Sequence, residues 1–121
     1  MDRQHYLNLI QIAFKTHPVV AILGPRQCGK TTLSKFYAET LKTPFHLFDL
    51  EDPTDIVKLE NPKLALAELS GLIIIDEIQR LPNLFPYLRV LVDNAGDTTK
   101  FLILGSASRD LIRQSSETLA G

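Results

Sequence analysis

Apolar residues fall into two kinds of run along this chain, some spaced for helices and some continuous. Tyr6, Leu7, Leu9, Ile10, Ala13 and Phe14 recur at helical spacing, and Pro18 closes that helix. Val19 to Leu23 is a short apolar run between a proline and a glycine, which predicts a buried strand. Gly24 to Gly29 reads as a loop. Lys30 to Thr40 follows with helical composition and carries Leu33, Phe36 and Tyr37 on one face. Phe45 to Phe48 predicts a second strand, leading into the acidic turn Asp49-Leu50-Glu51-Asp52-Pro53. Two short helices are expected over Thr54–Leu59 and Lys63–Leu69, each entered through a proline-marked turn. Leu72 to Ile75 is a third strand, apolar on both faces. Leu84 to Ala95 is helical, with Leu84, Leu88, Leu91 and Val92 in one stripe and Pro86 in the first turn, where a missing N–H costs little. Phe101 to Leu104 is a fourth strand, and a further helix is expected to begin near Ser108.

Strand and helix thus alternate, and the strands lack polar alternation. This pattern predicts an α/β fold with a parallel sheet covered by helices on both faces. Ligands of such sheets bind beyond the carboxyl ends of the strands. The residues with chemistry to offer all fall there: Gly24 to Thr31, Asp49, Asp76–Glu77 and Ser106.

Composition narrows the partners. At 121 residues the chain is one domain at most, and 45% hydrophobic residues are enough for a core. The net charge of -1 supplies no global field toward nucleic acid or an anionic membrane, so neither is indicated as a partner. The single cysteine, Cys28, excludes an intrachain disulfide and fits a reducing compartment. No apolar run approaches the roughly 20 residues needed to cross a bilayer. The polar start Met1-Asp2-Arg3-Gln4-His5 lacks a signal-peptide layout, and the expected location is cytoplasmic. His5, His17 and His46 have no metal-ligand spacing.

The strongest chemical signal is Gly24-Pro25-Arg26-Gln27-Cys28-Gly29-Lys30-Thr31, which matches G-x-x-x-x-G-K-[ST] without a mismatch. Such a loop turns backbone N–H groups inward around a phosphate. Gly24 and Gly29 allow backbone angles and a close approach that a side chain would prevent. The next helix presents its positive end to the same anion. Lys30 is the candidate for the β- and γ-phosphates and Thr31 for Mg²⁺, while Thr32 is placed for the α-phosphate. Arg26 and Cys28 fill variable positions, with a solvent-facing arginine and a small loop-filling side chain as their default readings.

The third strand ends in Asp76-Glu77. Beside a phosphate loop, the first acid is a candidate to hold Mg²⁺ through water. The second is a candidate base toward an attacking water, which favours hydrolysis over a kinase or small GTPase. Ser106 projects between the first and third strands if the fourth lies between them, where a hydroxyl can orient that water. Ser108 fits a helix N-cap equally well, and Arg109 reads as a surface residue before an arginine finger. Asp49, Glu51 and Asp52 form a solvated acidic turn by default. They could also tune the site or anchor Arg80 or Arg109.

Leu23 to Thr32, Asp49 to Pro53, Ile74-Ile75-Asp76-Glu77-Ile78-Gln79-Arg80 and Leu104 to Ser108 together resemble the prokaryotic predicted ATPases of the AAA superfamily that carry an additional C-terminal domain of unknown function. The resemblance covers nearly the whole chain. It implies a P-loop NTPase core in which Lys30 and Thr31 form Walker A, Asp76 and Glu77 form Walker B, and Ser106 is the sensor-1 candidate. It also implies strand order 5-1-4-3-2. With four strands in this sequence, the fifth, the lid over the base and the second sensor would be missing. Residues 1–121 are therefore expected to be an AAA-like nucleotide-binding domain incomplete at its C-terminal end, a truncated product or fragment, with Val19 to Leu23 as an exposed apolar edge.

The activity expected is Mg²⁺-dependent binding and hydrolysis of ATP. In the complete protein this would be linked to a homo-oligomer or to a partner protein through the missing C-terminal domain. The alternative is a non-catalytic nucleotide-binding module or an inactive remnant. A small-molecule kinase would need an arginine-rich lid, which the sequence lacks.

Overall fold

The computed structural model describes residues 3–24, 29–95 and 99–106. The order of elements is α1 (Arg3–Thr16), β1 (Val19–Gly24), α2 (Lys30–Thr40), β2 (Phe45–Asp49), α3 (Pro53–Leu59), α4 (Pro62–Leu66), β3 (Gly71–Asp76), a single 3₁₀ turn (Ile78–Arg80), α5 (Leu84–Ala95) and β4 (Thr99–Ser106). The four strands pair in the order β1-β4-β3-β2, and every pairing is parallel. This is the α/β arrangement expected from the alternation of strands and helices.

The period of two along each strand divides the core between the two faces of the sheet. Ile73, Ile75, Phe101 and Ile103 pack with Leu59, Leu66, Leu84, Phe85, Leu88 and Leu91 from α3, α4 and α5. Leu72, Ile74, Leu102 and Leu104 pack with Ile10 and Phe14 of α1 and Leu33, Tyr37 and Ala38 of α2. Both faces are covered by helices, which is why β3 and β4 read as uninterrupted apolar runs. Phe14 stacks on Tyr37 with ring centroids 5.8 Å apart, and Arg3 lies 3.7 Å over the Phe36 ring. Burial raises the Tyr37 phenol above its ordinary pKa. Within the described residues β1 is an edge strand, with Ala21 exposed and its other residues half-buried.

The element ends differ from expectation in ways that matter for the site. Pro53 and Pro62 are the first helical residues of α3 and α4, rather than belonging to the turns before them, because proline has no N–H to lose there and its φ suits a helix start. Asp52 caps α3 by accepting from Thr54 N at 2.9 Å. The helix α4 stops at Leu66, three residues earlier than expected, and Leu69 N closes a turn onto Leu66 O. The strand β4 runs two residues longer at each end, because the parallel ladder continues to Gly71↔Thr99 and Gly24↔Ser106. Ser106 is therefore the last residue of β4 itself.

Gly71 begins β3 with φ of 89°, and an added Cβ would lie 2.1 Å from Pro44 O. That carbonyl accepts from Leu72 N at 3.0 Å, so the close approach is part of how β3 aligns beside β2. Among the described residues, no helix is long and apolar enough to cross a membrane.

Candidate functional site

The parallel sheet gathers the carboxyl ends of β1, β3 and β4 at one edge, with the start of α2 above them. Gly24 ends β1, and Gly29 stands before α2 with φ of 92°, in the left-handed region that glycine enters without strain. Pro25, Arg26, Gln27 and Cys28, which complete the sequence motif, lie outside the described residues, as do Ser108 and Arg109. From the first turn of α2, Lys30 reaches back and its Nζ donates to Gly24 O at 3.1 Å. The lysine thus spans the two glycines of the motif. It is buried, at 6% exposure. Ser34, one turn on, is fully buried and donates to Thr31 O at 2.7 Å.

Thr31 points across the site to β3. Its hydroxyl donates to Asp76 Oδ2 at 2.5 Å. Asp76 Oδ1 is buried and has no hydrogen-bond partner among the described residues. Burial pushes the Asp76 carboxyl above the ordinary aspartate pKa. The negative charges of Glu77 and Asp49 act in the same direction, and the hydrogen bonds from the Thr31 hydroxyl and the Glu77 backbone oppose them. Asp49 is the neighbour of Asp76 in the parallel register of β2 and β3.

Glu77 follows with φ of 60° and ψ of 48°, the one non-glycine residue in the left-handed region among those described. This turn carries the chain out of β3 into the 3₁₀ turn, which the fully buried Ile78 anchors to the core. Backbone held in such a region costs on the order of 1–3 kcal/mol, and it clusters at functional sites. Glu77, Gly29, Lys30, Thr31 and Thr32 line a polar depression of about 290 Å³. Thr32 is exposed on its rim.

Ser106 closes β4 opposite Gly24, since β4 does lie between β1 and β3. Its Oγ is buried and has no hydrogen-bond partner among the described residues. A buried orphan hydroxyl beside Gly24 suits a ligand or an ordered water.

The sequence-predicted residues Gly24, Gly29, Lys30, Thr31, Asp76, Glu77 and Ser106 therefore converge, with Thr32 at the margin. The acidic turn is more than a solvated surface. Asp49 Oδ1 accepts from Glu51 N at 3.0 Å, Asp49 N donates to Asp55 Oδ2 at 2.8 Å, and Glu51 pairs with Arg80 at 3.7 Å. One residue of this neighbourhood escaped the sequence reading. Gln79, in the 3₁₀ turn, donates to Glu77 Oε2 through its side-chain nitrogen and accepts from Ser106 N at 3.3 Å through Oε1. Its signal was an amide two positions after the second acid, in a turn too short to show periodicity.

Comparison with known proteins bears on the family and the fold. Two curated relatives, both uncharacterized proteins, one from Mycobacterium bovis and one from Mycobacterium tuberculosis, are each 50% identical over all 121 residues. The chain spans 27% of the length of each. Among solved structures, the P-loop NTPase domain of the sigma-54 transport activator from E. coli superposes with a TM-score of 0.58 at 16% identity, over 98% of this chain and 85% of that one. That likeness shows the P-loop NTPase fold. The profile of an AAA domain family matches residues 16–121, and the chain belongs to that family.

Proposed function

We propose that this chain binds ATP together with Mg²⁺ and hydrolyses it. The observation that carries the reading is the contact of the Thr31 hydroxyl with Asp76, at the open end of a loop whose sequence suits a polyphosphate. A hydroxyl and a carboxylate are hard oxygen donors, and the second Asp76 oxygen is buried without a partner among the described residues. That set fits a magnesium ion, which takes one or two protein oxygens and completes its shell with phosphate and water. Thr31 would hold the ion directly and Asp76 through its water shell. When bound, the ion neutralises charge on the phosphate oxygens as it develops.

The protein's own groups divide the remaining work. The backbone of residues 24–31 and the amino end of α2 receive the phosphates. Lys30 exchanges the Gly24 carbonyl for β- and γ-phosphate oxygens, and Thr32 reaches toward the α-phosphate. Glu77 accepts a proton from a water whose oxygen bonds to the γ-phosphorus, and the bond from that phosphorus to the bridging oxygen breaks. Ser106, with its unpaired hydroxyl, orients the same water. In a longer protein this cycle would drive motion in an attached domain, a partner protein or another copy of the chain.

Titration calorimetry with ATP and GTP, with and without Mg²⁺, tests the binding half. Lys30→Ala should weaken ATP binding by about two orders of magnitude or more, in line with charge-assisted contacts worth roughly 1.5–3 kcal/mol each. Unchanged affinity would remove the assignment of the loop. Glu77→Gln should keep ATP binding and lose turnover. ATP binding with no turnover by the unmodified protein would mean a nucleotide-dependent binding module instead.

A further inference from the structure

We propose that Gln79 is a positioning residue that ties the carboxylate of Glu77 to the end of β4. The inference rests on the ATPase reading of the site. Its basis is a pair of hydrogen bonds made by one side-chain amide: Nε2 donates to Glu77 Oε2, and Oε1 accepts from Ser106 N at 3.3 Å.

The chemistry of the two ends selects the residue. An ionised carboxylate only accepts, and a backbone N–H only donates. A bridge between them needs a donor and an acceptor on adjacent atoms, which a carboxamide carries and no other side chain of this length does. Glutamate at position 79 would set two acceptors against each other, and methionine would fill the space with neither bond. The same complementarity leaves one orientation of the amide, with nitrogen toward Glu77.

The tether is also rigid at both anchors. Ile78, fully buried, holds the 3₁₀ turn against the core, and Arg80 N and Leu81 N close it onto Glu77 O and Ile78 O at 3.1 and 3.0 Å. At the other end, Ser106 N belongs to the last residue of β4, paired in register with Gly24 of β1. Glu77 alone is a long side chain on a left-handed backbone, free to rotate about three bonds. The amide fixes its carboxylate relative to Gly24 and Ser106, the two residues that bound the phosphate loop and the candidate water-orienting hydroxyl. A general base gains from being held within reach of the proton it removes, and small misplacements cost orders of magnitude. Removing the amide should therefore lower kcat and leave nucleotide binding intact, since Gln79 does not line the depression at the start of α2.

The test is steady-state ATP hydrolysis by the whole chain with Gln79→Met and Gln79→Glu, beside calorimetric ATP affinity and the melting temperature. The expected result is a drop in kcat of at least about tenfold in both variants, with KM and Kd within about twofold of the unmodified protein. Gln79→Glu guards against a packing artefact, because it is nearly isosteric and still removes the donor. A kcat within twofold of the unmodified protein, or an increase, would overturn the positioning role while leaving the ATPase reading intact. ATP binding without turnover by the unmodified protein would overturn the ATPase reading and the positioning role with it. A parallel loss of affinity and melting temperature in both variants would show Gln79 to be structural and would also overturn the proposal.

Discussion

Thr31 Oγ1 donates to Asp76 Oδ2 at 2.5 Å, joining the start of α2 to the end of β3 across 45 positions of sequence. The bond satisfies one oxygen of a carboxylate that is only 7% exposed. It also places side by side the two oxygen donors proposed above for Mg²⁺.

Removing the hydroxyl should expose the value of that bond. Thr31→Ala removes the donor to Asp76 Oδ2, a loss of about 1–3 kcal/mol to the nucleotide-free fold. It should also abolish the gain in ATP affinity on adding Mg²⁺, while Thr31→Ser restores both. Denaturant melts and calorimetry with and without Mg²⁺ check this. A Thr31→Ala protein that still shows the full magnesium increment would disprove the shared-ion arrangement.

Asp76 sets a pH dependence of definite sign. Its pKa is raised in the folded protein, by burial first and then by Glu77 and Asp49, so the folded state holds the proton more tightly than the unfolded chain does. Its contribution therefore favours folding at pH below the ordinary aspartate value of 3.8 and becomes a penalty as pH rises through the raised value. The penalty grows as pH rises above 3.8. Asp76→Asn should then raise the melting temperature of the nucleotide-free protein at pH 7, on the order of a few degrees, with the gain fading in acid. Asp49→Asn should act in the same direction and less. Lower stability of Asp76→Asn at pH 7 would contradict the reading, whatever the variant does to magnesium.

Gly71→Ala should be among the costliest single-methyl changes in the chain. The added Cβ meets Pro44 O at 2.1 Å and the backbone sits at φ of 89°, so neither rotation nor side-chain adjustment relieves it. A loss of at least about 2 kcal/mol is expected from the combined strain and clash. Leu64→Ala, at a side chain 79% exposed, should stay within about 0.5 kcal/mol. Urea titrations of the two variants make the comparison, and equal midpoints would refute it.

Much of this fold was legible along the chain. The helices Lys30–Thr40 and Leu84–Ala95 have the bounds their composition predicted, and the four apolar runs are the four strands. Buried parallel strands announce themselves because both faces must be apolar. The ends of β4 and α4 were harder to place. Thr99, Lys100, Gly105 and Ser106 have no strand-like pattern, and they are strand because Gly71, Leu72, Leu23 and Gly24 offer partners on neighbouring strands. Gln79 was hidden for a related reason: its two partners are Glu77, two residues away, and Ser106, which is 27 residues away.

The sequence by itself determined the order of elements, the glycine-lysine-threonine loop and the acids that end the third strand, because these follow from local spacing, backbone freedom and residue type. Tertiary structure alone decided that Ser106 lies opposite Gly24, that Asp49 raises the Asp76 pKa and that one amide joins Glu77 to β4. Each of those depends on which strand lies beside which and in what register. Burial and the coupling of charges are properties of neighbours brought together by folding, and no local pattern encodes them.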